Sequence, residues 1–315
     1  PNAEPRWSMC SLASGTWALN ESSAVITKDG QTMYFTRNNH FQGKRGYDAT
    51  KNTQLKIYRA ELKNGKWTNI EELSINGDSF NTAHPALSAD EKTLYFSSDR
   101  PGGFGGSDLW KASINGKTIG SPQNLGAKIN TEARETFPFV NSNDELYFSS
   151  DGRVGMGGLD VYATKIRKDG SVGDVQNVGA PINSNADDFA YYIDYQNKRG
   201  FVSSNREGGQ GNDDIYSFVE NRALVLDCEQ NLRVLVVDSK TRNIIPDATV
   251  TLYDAMFEQK GQSSRYENNN YRLIDNYECG ATYRIKVEKD EYITQEVSVS
   301  LPNESGVTEK TIVLE

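Results

Sequence analysis

Apolar and aromatic residues fall in short runs broken by Gly, Asn, Asp and Ser, a texture of short strands and tight turns rather than helices. The runs repeat. Leu94-Tyr95-Phe96-Ser97-Ser98-Asp99 returns as Leu146-Tyr147-Phe148-Ser149-Ser150-Asp151 and as Gly200-Phe201-Val202-Ser203-Ser204-Asn205, with a weaker copy at Met33-Tyr34-Phe35-Thr36-Arg37. A companion follows each copy: Gly106-Ser107-Asp108-Leu109-Trp110, Gly158-Leu159-Asp160-Val161-Tyr162, Asn212-Asp213-Asp214-Ile215-Tyr216 and the degenerate Leu55-Lys56-Ile57-Tyr58. Tyr58, Trp110, Tyr162 and Tyr216 lie 52, 52 and 54 residues apart.

A third element, Leu73-Ser74-Ile75-Asn76, Leu125-Gly126-Ala127-Lys128-Ile129-Asn130 or Val178-Gly179-Ala180-Pro181-Ile182-Asn183, precedes the next unit. One unit thus reads as apolar strand, turn, aromatic strand, glycine-rich loop, strand ending in an aromatic, turn and final strand. Four strands in about 50 residues is the size of one propeller blade. Blade strands touch both neighbouring blades, so apolar residues can fill both faces. Four units are visible between Asn20 and Phe218, and the last lacks an evident fourth strand. Gly15-Thr16-Trp17 resembles Gly65-Lys66-Trp67, so the segment from Trp7 to Leu19 is expected to supply it and close the ring, unless further blades precede residue 1.

After Phe218 the repeat stops. Leu232 to Val237, Ala248 to Tyr253, Thr282 to Val287, Gln295 to Leu301 and Lys310 to Leu314 are β-rich runs separated by turn residues, the spacing of a small Greek-key β-sandwich. The expected fold is all-β: a propeller of four-stranded blades over residues 1–220 and a sandwich over residues 221–315.

The motifs carry a resemblance. Phe35-Thr36-Arg37-Asn38-Asn39, the Tyr-Phe-Ser-Ser-Asp strands, the Gly-Gly-x-Asp loops, Asn-Leu-Gly-x-x-Ile-Asn and Asp187-Asp188-Phe189 resemble the PD40-type, WD40-like propellers of OmpA-family proteins of Bacteroidetes. Ile245-Pro246-Asp247-Ala248-Thr249-Val250-Thr251-Leu252 and the stretch from Tyr283 to Tyr292 are similar to a carboxypeptidase regulatory-like domain, which fits the same group. The resemblance implies a non-catalytic protein-binding scaffold in the periplasm, associated with the outer membrane and with type IX secretion-type machinery. Its implied partners are other envelope proteins. Peptidoglycan would be bound only through a C-terminal OmpA-like domain whose sequence is absent here. The rival reading is carbohydrate or peptide recognition by an envelope propeller.

Composition narrows the chemistry. The net charge of −9 is shared by both parts, with 16 acids and 11 bases in residues 221–315 and 27 acids and 23 bases before them, so neither part offers a basic footprint for nucleic acid. No apolar run approaches the ~18 residues of a membrane-spanning helix. Pro1 to Arg6 lack the order of a signal peptide, so any targeting segment is expected outside this sequence. Of three cysteines, Cys10, Cys228 and Cys279, the last two flank the core strands of the C-terminal module and are the expected disulfide, pointing to an oxidising compartment.

The inventory for catalysis is thin. His40 and His84 are the two histidines, and His84 aligns by sequence with Thr136 and Asp188. No H-E-x-x-H occurs, and the glycine loops lack a Gly-Lys-Ser/Thr ending, so no catalytic, metal or cofactor residue is assigned. The glycines are expected to serve positive-φ turns. Asp108, Asp160, Asp213 and Asp214 lack the alternation of a calcium loop and are expected to accept backbone N–H bonds within their own blades. Unrepeated loops are then what distinguishes one partner from another. The longest runs from Asn38 to Gln54, where Phe41, Arg45 and Tyr47 are the candidate partner-binding residues.

Overall fold

The computed structural model describes residues 21–41, 44–167, 170–226, 229–263, 266–267, 270–272, 277–302 and 305–315, and among these it contains strands and no helix. The chain divides into two compact units, Pro1–Leu226 and Asp227–Glu315. Residues 221–226 go with the first unit because Leu226 is buried against the fourth sheet and Leu224 packs beside it.

The first unit is a succession of antiparallel sheets of the propeller-blade type. The first contains β1 (Glu21–Ile26), β2 (Thr32–Asn38), β5 (Leu55–Lys63) and β6 (Lys66–Glu72), in that order. Between β2 and β5 the two-residue strands β3 (His40–Phe41) and β4 (Lys44–Arg45) pair in a small hairpin. In the second sheet β7 (Thr82–Leu87), β8 (Thr93–Ser98) and β9 (Asp108–Asn115) are joined by β10 (Thr118–Ile119) and β11 (Gln123–Asn124), both on β9. The third runs β12 (Glu135–Val140), β13 (Glu145–Ser150), β14 (Asp160–Lys165), β15 (Gln176–Asn177). The fourth has three described strands, β16 (Asp188–Asp194), β17 (Arg199–Ser204) and β18 (Asp214–Val219). The fourth strand of a blade is therefore long only in the first sheet. The segment from Trp7 to Leu19, expected to complete the last one, lies outside the described residues.

Strand periodicity decides how the sheets stack. Successive side chains point to opposite faces, so Leu94 and Phe96 pack back on Tyr34 and Ile57 of the first sheet, while Tyr95 packs forward on Leu146 and Phe148 of the third. In the same way Tyr147 and Val161 face Tyr191 and Val202 of the fourth. Burial of both faces explains the near-continuous apolar reading of β8 and β13. In the fourth sheet the forward-facing residues are uncovered: Ile215 is 75% exposed, whereas its counterparts Ile57, Leu109 and Val161 are fully buried.

Inner strands β1, β7, β12 and β16 contact one another in sequence, and each carries one extra residue at a bulge. The bulge puts Ser23, His84, Phe137 and Ala190 at positive φ, between 31° and 55°. Register therefore corrects the sequence alignment. Thr82 is equivalent to Glu135 and Asp188, so the counterparts of His84 are Phe137 and Ala190, not Thr136 and Asp188.

The Leu/Val-Gly-x-x-Ile-Asn element ends in an asparagine that takes the place of a strand. Asn130 Oδ1 accepts from the Leu109 N–H at 2.8 Å and its Nδ2 donates to the Leu109 carbonyl at 3.1 Å. Asn76 does the same to Ile57 and Asn183 to Val161, all at 3.0 Å or less. Each segment leaving a sheet is thus pinned to the middle of that sheet before it enters the next.

The second unit has two sheets around one core. One contains β19 (Glu229–Asp238), β22 (Tyr266–Glu267), β23 (Asn270–Arg272), β24 (Tyr277–Glu278) and β27 (Gly306–Leu314); the other runs β21 (Gln259–Ser263), β20 (Thr249–Tyr253), β25 (Thr282–Glu288), β26 (Gln295–Ser300). Leu232, Val234, Val236 and Ile312 from the first meet Val250, Leu252, Ile285 and Val287 from the second. The first and last strands, β19 and β27, pair in parallel over nine residues, which departs from the all-antiparallel pattern of a Greek key. The β19–β24 ladder runs Gln230↔Tyr277 and Glu229↔Glu278 toward Cys279, which is disulfide-bonded. Cys228 and Cys10 lie outside the described residues. Non-reducing peptide mapping is expected to return Cys279 joined to Cys228, and Cys279→Ser to cost the unit about 4 kcal/mol, the chain-entropy value for a loop of that length. Cys10 as the partner, or an alkylatable Cys279 in the unreduced protein, would contradict the pairing.

Candidate partner-binding rim

The loops that join the second strand of each sheet to the third all emerge at the same end. Three of them share one construction. Asp108 accepts the Phe104 and Gly105 N–H groups at 2.6 and 3.1 Å, Asp160 those of Met156 and Gly157 at 2.9 and 3.1 Å, and Asp214 those of Gln210 and Gly211 at 2.8 and 3.0 Å. Asp108 and Asp160 are buried, and Asn124 Nδ2 donates a further bond of 2.6 Å to Asp108. These carboxylates stabilise loop backbone. Among the described residues no group of three His, Cys, Asp or Glu is placed to hold a metal ion. Asp213 takes no part in the clamp; its neighbour Asp214 is the counterpart of Asp108 and Asp160.

The glycines serve a different purpose from the one the sequence suggests. Positive φ occurs at Gly102 and Gly208, at 91° and 93°, but not at the other loop glycines. Those make room. A Cβ on Gly103, Gly155 or Gly209 would strike the clamping carboxylate of its own loop. One on Gly105 would strike the Thr131 and Ala133 carbonyls, and one on Gly157 the Ala186 carbonyl, because the segment leading to the next sheet lies directly on the loop. The Gly106 N–H donates to Ala133 O at 2.6 Å across that contact.

An arginine closes each loop from beneath. The Arg100 guanidinium sits 4.9 Å from the Phe96 ring centre and 5.3 Å from Trp110, and donates to the Ile75 carbonyl at 2.9 Å. Arg153 lies over Phe148 and Tyr162 and donates to Ile129 O at 2.9 Å; Arg206 lies over Tyr216, donates to Ile182 O and pairs with buried Asp188. Arg37, over Phe35 and Tyr58, is the first-sheet version. The recurrence is hidden in the sequence because Arg153 stands one residue later in its loop than Arg100 and Arg206 do in theirs.

Loops held this tightly turn apolar side chains outward. Phe104 and Met156, whose N–H groups bind the clamping aspartates, are 51% and 52% exposed, and Val154 is 97% exposed. The first sheet's longer loop reaches the same rim. There the Asp48 carboxylate accepts from the Thr50 and Asn52 N–H groups at 2.8 Å and from Gln54 Nε2 at 2.7 Å, and the Thr50 hydroxyl holds its pKa below the usual carboxylate range. Of the three residues expected to bind a partner, Tyr47 is 53% exposed; the side chains of Phe41 and Arg45 fall outside what the structure describes. The hairpin that carries them is ordered by ladder pairing of His40 with Arg45 and of Phe41 with Lys44.

Along the row of inner strands, His84 packs on Phe137 at 3.9 Å and Phe137 on Phe189 at 5.0 Å between ring centres. His84 Nδ1 and the Ser23 hydroxyl share a hydrogen bond of 2.9 Å, and the His84 N–H donates to Thr36 Oγ1. The residue is half-buried, yet protein atoms crowd the imidazole so closely that desolvation pushes its pKa down to about 4. Among the described residues no carboxylate is bonded to it, and a neutral imidazole results.

A comparison with protein-family models gives no match, and neither does one with curated proteins. Solved structures give distant likenesses. An alpha-L-arabinofuranosidase from Lactobacillus brevis is 15% identical, with 61% of this chain and 70% of that chain covered and a TM-score of 0.40. A putative TolB from Agrobacterium tumefaciens is 12% identical over 90% of this chain and 69% of its own, also at 0.40. A puromycin-hydrolyzing peptidase from Mycobacterium tuberculosis is 14% identical over 75% of this chain, which spans 34% of the peptidase, at 0.39. Likenesses this distant assign no activity.

Asp108→Ala strands two loop N–H groups and an asparagine amide. It is expected to lower the stability of the first unit by about 3 kcal/mol in urea titrations, since bonds to a charged acceptor contribute about 1.5–3 kcal/mol each. A change below about 0.5 kcal/mol, the range of ordinary surface substitutions, would contradict the clamp. For His84 the folded pKa lies below the unfolded value of about 6.5. Unfolding therefore takes up a proton between pH 6.5 and 4, and stability falls as pH drops through that window by up to roughly 3 kcal/mol. His84→Phe, which copies Phe137 at the equivalent backbone position, should flatten that part of the acid limb. Superimposable acid limbs for the two proteins would contradict the desolvated histidine.

Proposed function

We propose that this chain is a non-catalytic protein-binding scaffold of the cell envelope, working in the periplasm in association with the outer membrane. Within that class it is a PorE-like part of type IX secretion-type machinery. The observation that carries the reading is the rim: four loops, three built alike and the first held by Asp48, each fixed by a carboxylate onto its own backbone, three of which turn Tyr47, Phe104, Val154 and Met156 to solvent. Rigid aromatic and apolar anchors on preorganised loops are what a protein interface uses, because little side-chain and loop entropy is lost on binding. The disulfide at Cys279 supports the compartment, since such bonds persist in oxidising surroundings. Partner recognition then resides where the loops differ, in Phe41, Arg45 and Tyr47 of the first and in Phe104 and Met156 of the next two.

The test is affinity capture from a native envelope extract with the chain as bait. Combined Phe104→Ser and Met156→Ser, or combined Phe41→Ala, Arg45→Ala and Tyr47→Ala, is expected to weaken capture at least about tenfold while leaving the melting transition in place. Wild-type capture by both variants would remove the rim as the contact surface. Turnover of a peptide or glycoside substrate by the purified chain would overturn the non-catalytic part.

A further inference from the structure

At the end opposite the rim, the interfaces between successive sheets repeat one pair of residues, and the pair is partnered differently at each. The second strand contributes a tyrosine and the third strand the residue beside it: Tyr34 with Arg59, Tyr95 with Lys111, Tyr147 with Ala163. The first site opens on a cavity of about 470 Å3 lined by Tyr34 and Arg59, but there the protein itself satisfies the cation. Arg59 is bound to Glu71 at 2.5 Å and to the Lys117 carbonyl at 3.1 Å. At the third position there is no cation, and the Tyr147 hydroxyl donates to Glu145 at 3.0 Å.

The middle site differs. Tyr95 and Lys111 line a groove of about 630 Å3 between the second and third sheets, a size typical of small-molecule sites. Tyr95 is 5% exposed, and neither its hydroxyl nor the Lys111 ammonium has a hydrogen-bond or ion-pair partner among the described residues. The Tyr95 hydroxyl is not one of the enclosed, unpartnered polar atoms, so it opens onto the groove where water or a ligand can meet it. Asp90, Asp144 and Gln123 line the same groove. Desolvation pushes the Tyr95 pKa up to about 12, and the charges of Asp144 and Asp90 add to the rise. The lining is mostly polar, so it does not suit a lipid or a flat aromatic ligand. Arg167 lines it as well, so the groove presents two cations, of which the Lys111 ammonium has no partner among the described residues, and two carboxylates, and the complement of both signs at once is a zwitterion.

We propose that this groove binds an amino acid or short peptide, with the ligand carboxylate on Lys111 and Tyr95 and its ammonium on Asp144 and Asp90. The site is independent of the rim. Isothermal titration of the full chain with glycylglycine, its N-acetyl derivative, its amide and maltose tests it. Saturable binding of glycylglycine below about 10 mM is expected, with losses of at least about tenfold for each blocked derivative and no binding of maltose. Lys111→Met keeps the aliphatic stem and Tyr95→Phe the ring, so both should melt like the wild type and weaken binding about tenfold. Absence of glycylglycine binding, equal binding of the amide, or retention of affinity in Lys111→Met overturns the proposal. Binding of maltose alone would make the groove a neutral-sugar site and overturn it as well. Should Lys111→Met fail to fold, the derivatives on the wild-type chain decide.

Discussion

A side-chain carboxylate or amide bonded to main chain is the interaction on which the first unit depends. A blade with one or two residues in its fourth strand has little ladder there to hold it, as β15 and β10 illustrate. The asparagine ending each inter-sheet segment makes up the deficit, because one amide supplies a donor and an acceptor in the geometry of a strand pair. Asn130 also donates to Asn124, which donates to Asp108, so strand, linker and rim loop share one network between the second and third sheets. Buried networks of this kind specify one arrangement when every member is satisfied.

Packing follows from that pinning. Once the linker is held against Leu109 or Val161, it crosses the glycine loop and the chain enters the next inner strand with Glu135 or Asp188. Both are fully buried, and each is bonded to the Thr131 or Ser184 that precedes it. The glycines are then a consequence of close approach between two pieces of backbone. The arginines add aromatic stacking and carbonyl contacts on the other side of the same linker. Rigidity of the rim and stacking of the sheets thus have a common origin. Phe104 and Met156 are exposed because their own N–H groups are tied inward.

The repeat was legible in the sequence because every blade needs the same clamps, so Asp108, Asp160 and Asn130 recur at fixed offsets and stand out without any knowledge of their contacts. Their backbone-accepting role also followed from chemistry, since an aspartate between glycines and a strand has N–H groups within reach. What was not legible depended on local register. The equivalence of His84 with Phe137 and Ala190 emerges only from strand pairing, because a histidine, a phenylalanine and an alanine share no chemistry that would align them. A one-residue displacement hid Arg153. Steric reasons for glycine at 105 and 157 come from a segment about 28 residues downstream, which no local pattern reveals. The boundary between units falls after Leu226 and not after residue 220 because Leu224 and Leu226 belong to the fourth sheet's core although they follow its last strand.

The central claim is that the rim is a fixed platform and not a set of mobile loops, and amide hydrogen exchange at individual residues tests it most directly. The Phe104, Met156 and Gln210 amides should exchange slowly, and replacing the clamping aspartate of one sheet by alanine should release the amides of that loop while the others stay protected. Exchange of all three amides at the rate of an unstructured chain in the unaltered protein would contradict the account.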